Sequence, residues 1–104
     1  MVLTIEQIFV SAAKRPEEAF HPCLDNTDVI VEMADGKRYA ASFFAYENIP
    51  LIAKENKEKE AFLIGKYYWV KNMILIECCS QELITKVVQE MIDEGEFLEA
   101  FYQL

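Results

Sequence analysis

The sequence predicts an α+β fold: a four-stranded antiparallel sheet with a long C-terminal amphipathic helix packed on one face. Three observations carry that expectation. Two β-rich runs, Thr27–Met33 and Lys37–Tyr46, flank Ala34-Asp35-Gly36, and an Asp-Gly between such runs is a strong hairpin signal. A second apolar pair, Phe62–Val70 and Met73–Cys79, is separated by Lys71-Asn72. After Ser80, the residues Leu83, Ile84, Val87, Val88, Met91 and Ile92 form one broad helical stripe.

Taken in order, Thr4 with Gln7 makes a capping-box pattern, and Ile5, Ile8, Phe9 and Ala12 share one helical face, so residues 4–14 read as a helix. Pro16 opens a short turn through Phe20, and His21-Pro22 ends it, because a residue before proline avoids the helical region.

The hairpin has two candidate registers. A two-residue loop pairs Met33 with Arg38; a three-residue loop with Gly36 in the left-handed bulge position pairs Glu32 with Arg38. The second separates apolar from charged positions better, since a one-residue slip exchanges the two faces. It places Val31 opposite Tyr39, Val29 opposite Ala41 and Thr27 opposite Phe43. Val29, Val31, Met33, Tyr39, Ala41 and Phe43 then line one face, with Ile30, Ala40 and Phe44 on the other.

Asn48 is positioned to cap a short helix through Ala53, and the mixed-charge run Lys54–Glu60 continues it or forms a loop. Met73-Ile74-Leu75-Ile76 is a continuous apolar run, the mark of a strand buried on both faces. In Lys66–Val70, alternation would put Tyr67 and Trp69 on one face and Tyr68 on the other. Ser80 caps the long helix, Val87 and Met91 are expected in its buried stripe, and Gly95 stops it. Glu96–Tyr102 adds a final turn or two. The element order is α-ββ-α-ββ-α-α, and residues 1–104 form a single domain.

Composition bounds the function. The chain is 53% hydrophobic, too apolar for disorder, and no apolar run approaches the ~20 residues that span a bilayer. The N-terminus, with Glu6 and no basic segment, does not read as a signal peptide. Cys23, Cys78 and Cys79 are odd in number and lack a CxxC pattern, which argues against a disulfide framework and a zinc site, so a cytoplasmic setting is expected. The net charge is −8. Residues 47–79 are neutral, whereas Glu82, Glu90, Asp93, Glu94, Glu96 and Glu99 face Lys86 alone in the last 25 residues. That field disfavours nucleic acid and would steer a basic partner; keeping the domain soluble is its commoner meaning.

Little in the chain asks for catalysis. His21 and Cys23 stand close in sequence, but no third group or oxyanion donor can be assigned to a thiol mechanism. Cys78-Cys79 reads as one core and one peripheral free cysteine. Gly36, Gly65 and Gly95 are isolated, so no phosphate loop is present, and neither a metal nor a cofactor is expected.

What remains is surface. Phe44, Tyr67, Tyr68 and Trp69 are the candidate interaction surface, because the sheet looks apolar on both faces. Either the N-terminal helix covers the second face, or another chain does. The leading expectation is a non-catalytic protein–protein interaction module, binding a protein partner or a second copy, with an immunity- or antitoxin-like inhibitor of a basic partner as the concrete version. The alternative is a small-ligand-binding regulatory domain with an aromatic pocket near Tyr46, Tyr67 and Trp69.

Overall fold

A computed structural model describes residues 2–14 and 20–104 of the chain. Its centre is the hairpin of β2 (Asn26–Met33) and β3 (Arg38–Ala45). Glu32 pairs with Arg38, Val31 with Tyr39, Val29 with Ala41 and Thr27 with Phe43. Gly36 takes φ +89° and donates to the Met33 carbonyl, while the Met33 amide donates to Lys37, each at 2.9 Å. This is the three-residue loop with its left-handed glycine, and the register follows from it.

The N-terminal segment is not a helix. Ile5–Val10 forms strand β1, antiparallel to β2, followed by a 3-10 turn at Ser11–Lys14. The ladder pairs Ile5 with Met33 and then Gln7 with Glu32, so an irregularity falls at Glu6. That extra residue breaks the period-2 pattern and leaves Ile5, Ile8 and Phe9 spaced like a helical face. The expected turn beginning at Pro16 lies mainly outside the described residues.

The second expected hairpin is also replaced. Phe62–Val70 contains no strand, and β4 (Met73–Ile76) instead joins β3 in parallel, with Phe43 opposite Ile74 and Phe44 opposite Leu75. Parallel pairing needs a long crossover. It is supplied by α1 (Asn48–Glu58), a one-turn helical segment α2 (Phe62–Gly65) and the irregular stretch that follows. Asn72 takes φ +56°, and its carbonyl accepts from the Ser42 amide at 3.0 Å, which leads the chain onto the β3 edge. After α3 (Gln81–Asp93) and α4 (Phe97–Ala100), a short β5 (Tyr102–Gln103) pairs antiparallel with the other half of β3. The fold is thus α+β with a five-stranded, mainly antiparallel sheet rather than a four-stranded antiparallel one.

One sheet face carries the core. Val29, Val31, Met33, Tyr39, Ala41 and Phe43 are all buried there, against Ile84 and Val88 of α3 and Phe97 of α4. The rings of Tyr39 and Phe97 meet edge-on at 5.3 Å, and Phe97 stacks on Phe101 at 4.4 Å. Ser80 caps α3 by accepting from the Leu83 amide at 3.2 Å. Val87 and Met91, expected at the centre of the stripe, are only half-buried; the helix is rotated so that Ile84 and Val88 point straight at the sheet.

Two local readings need correction as well. Asn48 is not the cap of α1, since Glu47 holds that position and Asn48 donates through Nδ2 to the Leu24 carbonyl at 2.8 Å. Cys23 and Cys78 are joined in a disulfide across 55 residues. Cysteine spacing carries no information about this pair, because only the completed fold brings the His21–Leu24 turn beside the end of β4.

Candidate functional site

The aromatic surface is built on backbone that L-residues rarely adopt. Phe62, Leu63 and Ile64 have φ values of +51°, +52° and +57°, and Gly65 follows at +74°. The α2 segment is therefore a left-handed helical turn, which costs roughly 1–2 kcal/mol at each non-glycine position. It is closed by Gly65 N–H donating to Ala61 at 2.9 Å and Lys66 N–H to Phe62 at 3.0 Å. Ala61 in turn donates to the Asn56 carbonyl at 2.8 Å, which seats the turn against α1. The approach is closest at Gly65, where an added Cβ would lie 2.7 Å from the Ala53 carbonyl oxygen.

The left-handed course sends Phe62 inward and its neighbours outward. The Phe62 ring meets Tyr67 at 5.4 Å and Tyr68 at 5.0 Å, both edge-on. Tyr68 then meets Phe44 edge-on at 5.9 Å, so this segment covers one end of the sheet face opposite the core. Leu63 is 72% exposed and Trp69 66%; Ile64 and Tyr67 are each about half exposed. Leu75, across the ladder from Phe44, is exposed as well.

The four residues singled out from the sequence therefore divide. Tyr67 and Trp69 are surface. Tyr68 is half-buried, and Phe44, at 2% exposure, is the floor rather than a contact residue. Leu63 and Ile64 were missed, because an apolar pair in a β-rich run reads as a buried strand. Alternation of Tyr67, Tyr68 and Trp69 across a sheet does not apply, since the segment is not in the sheet.

Beside the turn lies a cleft of about 210 Å³, lined by Ile49, Ile52 and Ala53 of α1 together with Tyr67, Tyr68 and Met73. Neither Tyr46 nor Trp69 lines it, although Tyr46 is exposed.

The acidic residues occupy the other side. Because α3 and α4 cover the core face, Glu82, Glu90, Asp93, Glu94, Glu96 and Glu99 are exposed on the side of the sheet away from the aromatic segment. The Glu82–Lys86 pair, at 3.3 Å, is the salt bridge on α3 among the described residues.

Cys23 is not a free thiol beside His21. His21 is exposed, its backbone amide donates to Asp25 Oδ2 at 2.9 Å, and the Cys23 sulfur is bonded to Cys78. Cys79 is fully buried, its thiol directed at the carbonyls of Asp25 (3.5 Å) and Phe43 (3.6 Å), and burial pushes its pKa up to about 11. Among the described residues, no group of three or more His, Cys, Asp or Glu side chains gathers as a metal site, and no helix is long and apolar enough to cross a membrane.

Comparison with known protein families, with curated proteins and with solved structures finds no match for the chain.

Proposed function

We propose that this chain is a non-catalytic protein-interaction module, whose contact surface is formed by Leu63, Ile64, Tyr67 and Trp69. The observation that supports it is the left-handed turn. Holding Leu63 and Ile64 at positive φ is unfavourable, and leaving both side chains in water adds to the cost. Backbone strain of this kind concentrates where a surface is shaped for use. A partner that buries the two side chains and the adjacent indole recovers the apolar term, and exposed Trp and Tyr are the side chains that most often dominate such contacts.

The acidic α3–α4 side fits a basic partner through long-range steering rather than direct contact, since it faces away from the aromatic segment. The combination suits an inhibitor of the immunity or antitoxin type. A small-ligand role in the neighbouring cleft is the weaker reading: 210 Å³ falls below the roughly 300–1,000 Å³ of ordinary ligand pockets.

The test is affinity capture from the native cell extract with the wild-type chain and with Leu63→Ser/Trp69→Ala. A basic protein retained by the wild type and lost at least tenfold from the variant, with both chains melting alike, is expected. Equal recovery by the two chains, or no specific protein on either, would refute the reading.

A further inference from the structure

The turn at His21–Leu24 is fastened to three separate elements. Leu24 and Asp25 amides both donate to the His21 carbonyl at 2.9 Å, which shapes the turn. The Pro22 carbonyl accepts from Cys79 N–H at 2.7 Å, the Leu24 carbonyl from Asn48 Nδ2 at 2.8 Å, and the Asp25 carbonyl from Ala45 N–H at 3.1 Å. The turn thereby touches the β4–α3 junction, the start of α1 and the end of β3. Across the first of these contacts runs the Cys23–Cys78 disulfide. Cys23 is exposed and Cys78 half-buried, whereas Cys79 is wholly enclosed.

We propose that Cys23–Cys78 is a reversible thiol–disulfide exchange site, opened by an external dithiol that attacks Cys23, and that it latches the 21–25 turn onto the β4–α3 junction. Exchange requires a thiolate to reach one sulfur of the pair, and the exposed Cys23 offers that approach. A thiolate of the dithiol bonds to Cys23 Sγ as the Cys23–Cys78 bond breaks, and Cys78 leaves as a thiolate that takes a proton from water. The second thiol of the reagent, as its thiolate, then attacks its partner sulfur in the mixed disulfide and releases Cys23, which is protonated in turn. Two electrons pass to the protein, and the reagent becomes a cyclic disulfide. A disulfide oxidant runs the sequence backwards and closes the latch.

Cys79 stands apart from this cycle for a structural reason. It neighbours Cys78 in sequence, so reshuffling to a 78–79 or 23–79 bridge is the obvious competitor. Its enclosed sulfur points at two backbone carbonyls, and with the thiol raised to about 11 almost no thiolate forms near neutral pH. The hydrogen bonds from Cys79, Asn48 and Ala45 remain when the disulfide opens, so the fold survives while the turn loosens. In a reducing compartment the latch rests open, and in an oxidising one it is shut. This inference stands independently of the interaction surface proposed above.

The test treats the folded, oxidised full chain with dithiothreitol, then alkylates without denaturant and maps the labelled peptides. Labels at Cys23 and Cys78 but not Cys79 are expected, with an unchanged far-ultraviolet spectrum. Amide exchange at Leu24 and Asp25 should quicken at least tenfold and return to its starting rate on reoxidation, while the Cys79 amide stays protected by its bond to the Pro22 carbonyl. Cys23→Ser should show the fast exchange without reductant, and Cys79→Ser should retain both the two labels and the slow oxidised state. A bridge that yields only after denaturation would overturn the proposal. So would labelling of Cys79, loss of the fold on reduction, or exchange indifferent to the bridge.

Discussion

Replacing Gly65 with alanine tests the left-handed turn and its seat on α1 together. Three glycines in the chain have positive φ: Gly36 at +89°, Gly65 at +74° and Gly95 at +75°. An alanine at any of them bears the left-handed backbone penalty of roughly 1–2 kcal/mol, partly offset by a less flexible unfolded chain. That offset is nearly the same at all three sites, so it cancels in comparison. The surroundings differ. Nothing lies within 4 Å of a Cβ at Gly36 or Gly95, whereas at Gly65 it would meet the Ala53 carbonyl oxygen at 2.7 Å and Lys57 backbone nitrogen at 3.1 Å. Backbone atoms of a helix cannot swing aside, so α2 must back away from α1, adding about 1–3 kcal/mol of overpacking. For a chain of this size, each kcal/mol is roughly 4–8 °C of melting temperature. Thermal melts followed by circular dichroism should therefore place Gly65→Ala about 5–20 °C below Gly36→Ala and Gly95→Ala. If the three variants melt within about 3 °C of one another, the close approach at Gly65 is absent and the description of the turn fails.

Two further outcomes follow from the core. Val88→Asp should abolish the cooperative melt, because a carboxylate at a position with 0% exposure has no charge partner, whereas Val87→Asp, at a half-buried site, should keep one at lower temperature; the reverse order would mean α3 is rotated from its described face. The Cys79 thiol, raised from 9.0 to about 11, keeps its proton in the fold after the unfolded chain has lost it, so its contribution is whole below pH 9 and falls by roughly 3 kcal/mol as pH rises to 11. Urea midpoints between pH 8 and 11 should therefore decline more steeply for the wild type than for Cys79→Ser, and parallel slopes would contradict the assignment.

The hairpin was legible in the sequence because every determinant of it is local. Gly36 specifies the bulged loop, the loop sets the register, and the register assigns Val29, Val31, Met33, Tyr39, Ala41 and Phe43 to one face. The same holds for the two ends of α3, which Ser80 and Gly95 mark locally, whereas the enclosed positions proved to be Ile84 and Val88 rather than Val87 and Met91. Tyr67 and Trp69 could be singled out by type alone. Which of the aromatic residues would be exposed could not, since Tyr68 meets the Phe44 ring on one side and the Phe62 ring on the other.

Tertiary structure decided the remainder, wherever a residue's partner is distant in sequence. Glu6 disturbs the period of β1, so only the ladder to β2 reveals a strand there. The β-rich run from Phe62 to Val70 satisfies a propensity that reflects fit to a pleated surface, but it did not take the place in the sheet that the sequence suggested. The β3 edge was taken by β4 and β5, and the run instead turned left-handed against α1. The Cys23–Cys78 bridge has the same origin. Sequence supplies the thiols, but the choice of Cys78 over Cys79 rests on which sulfur meets Cys23 and which is enclosed by the core. Local chemistry determines conformations that close on themselves within a few residues; pairings across the fold depend on which surfaces the other elements leave open.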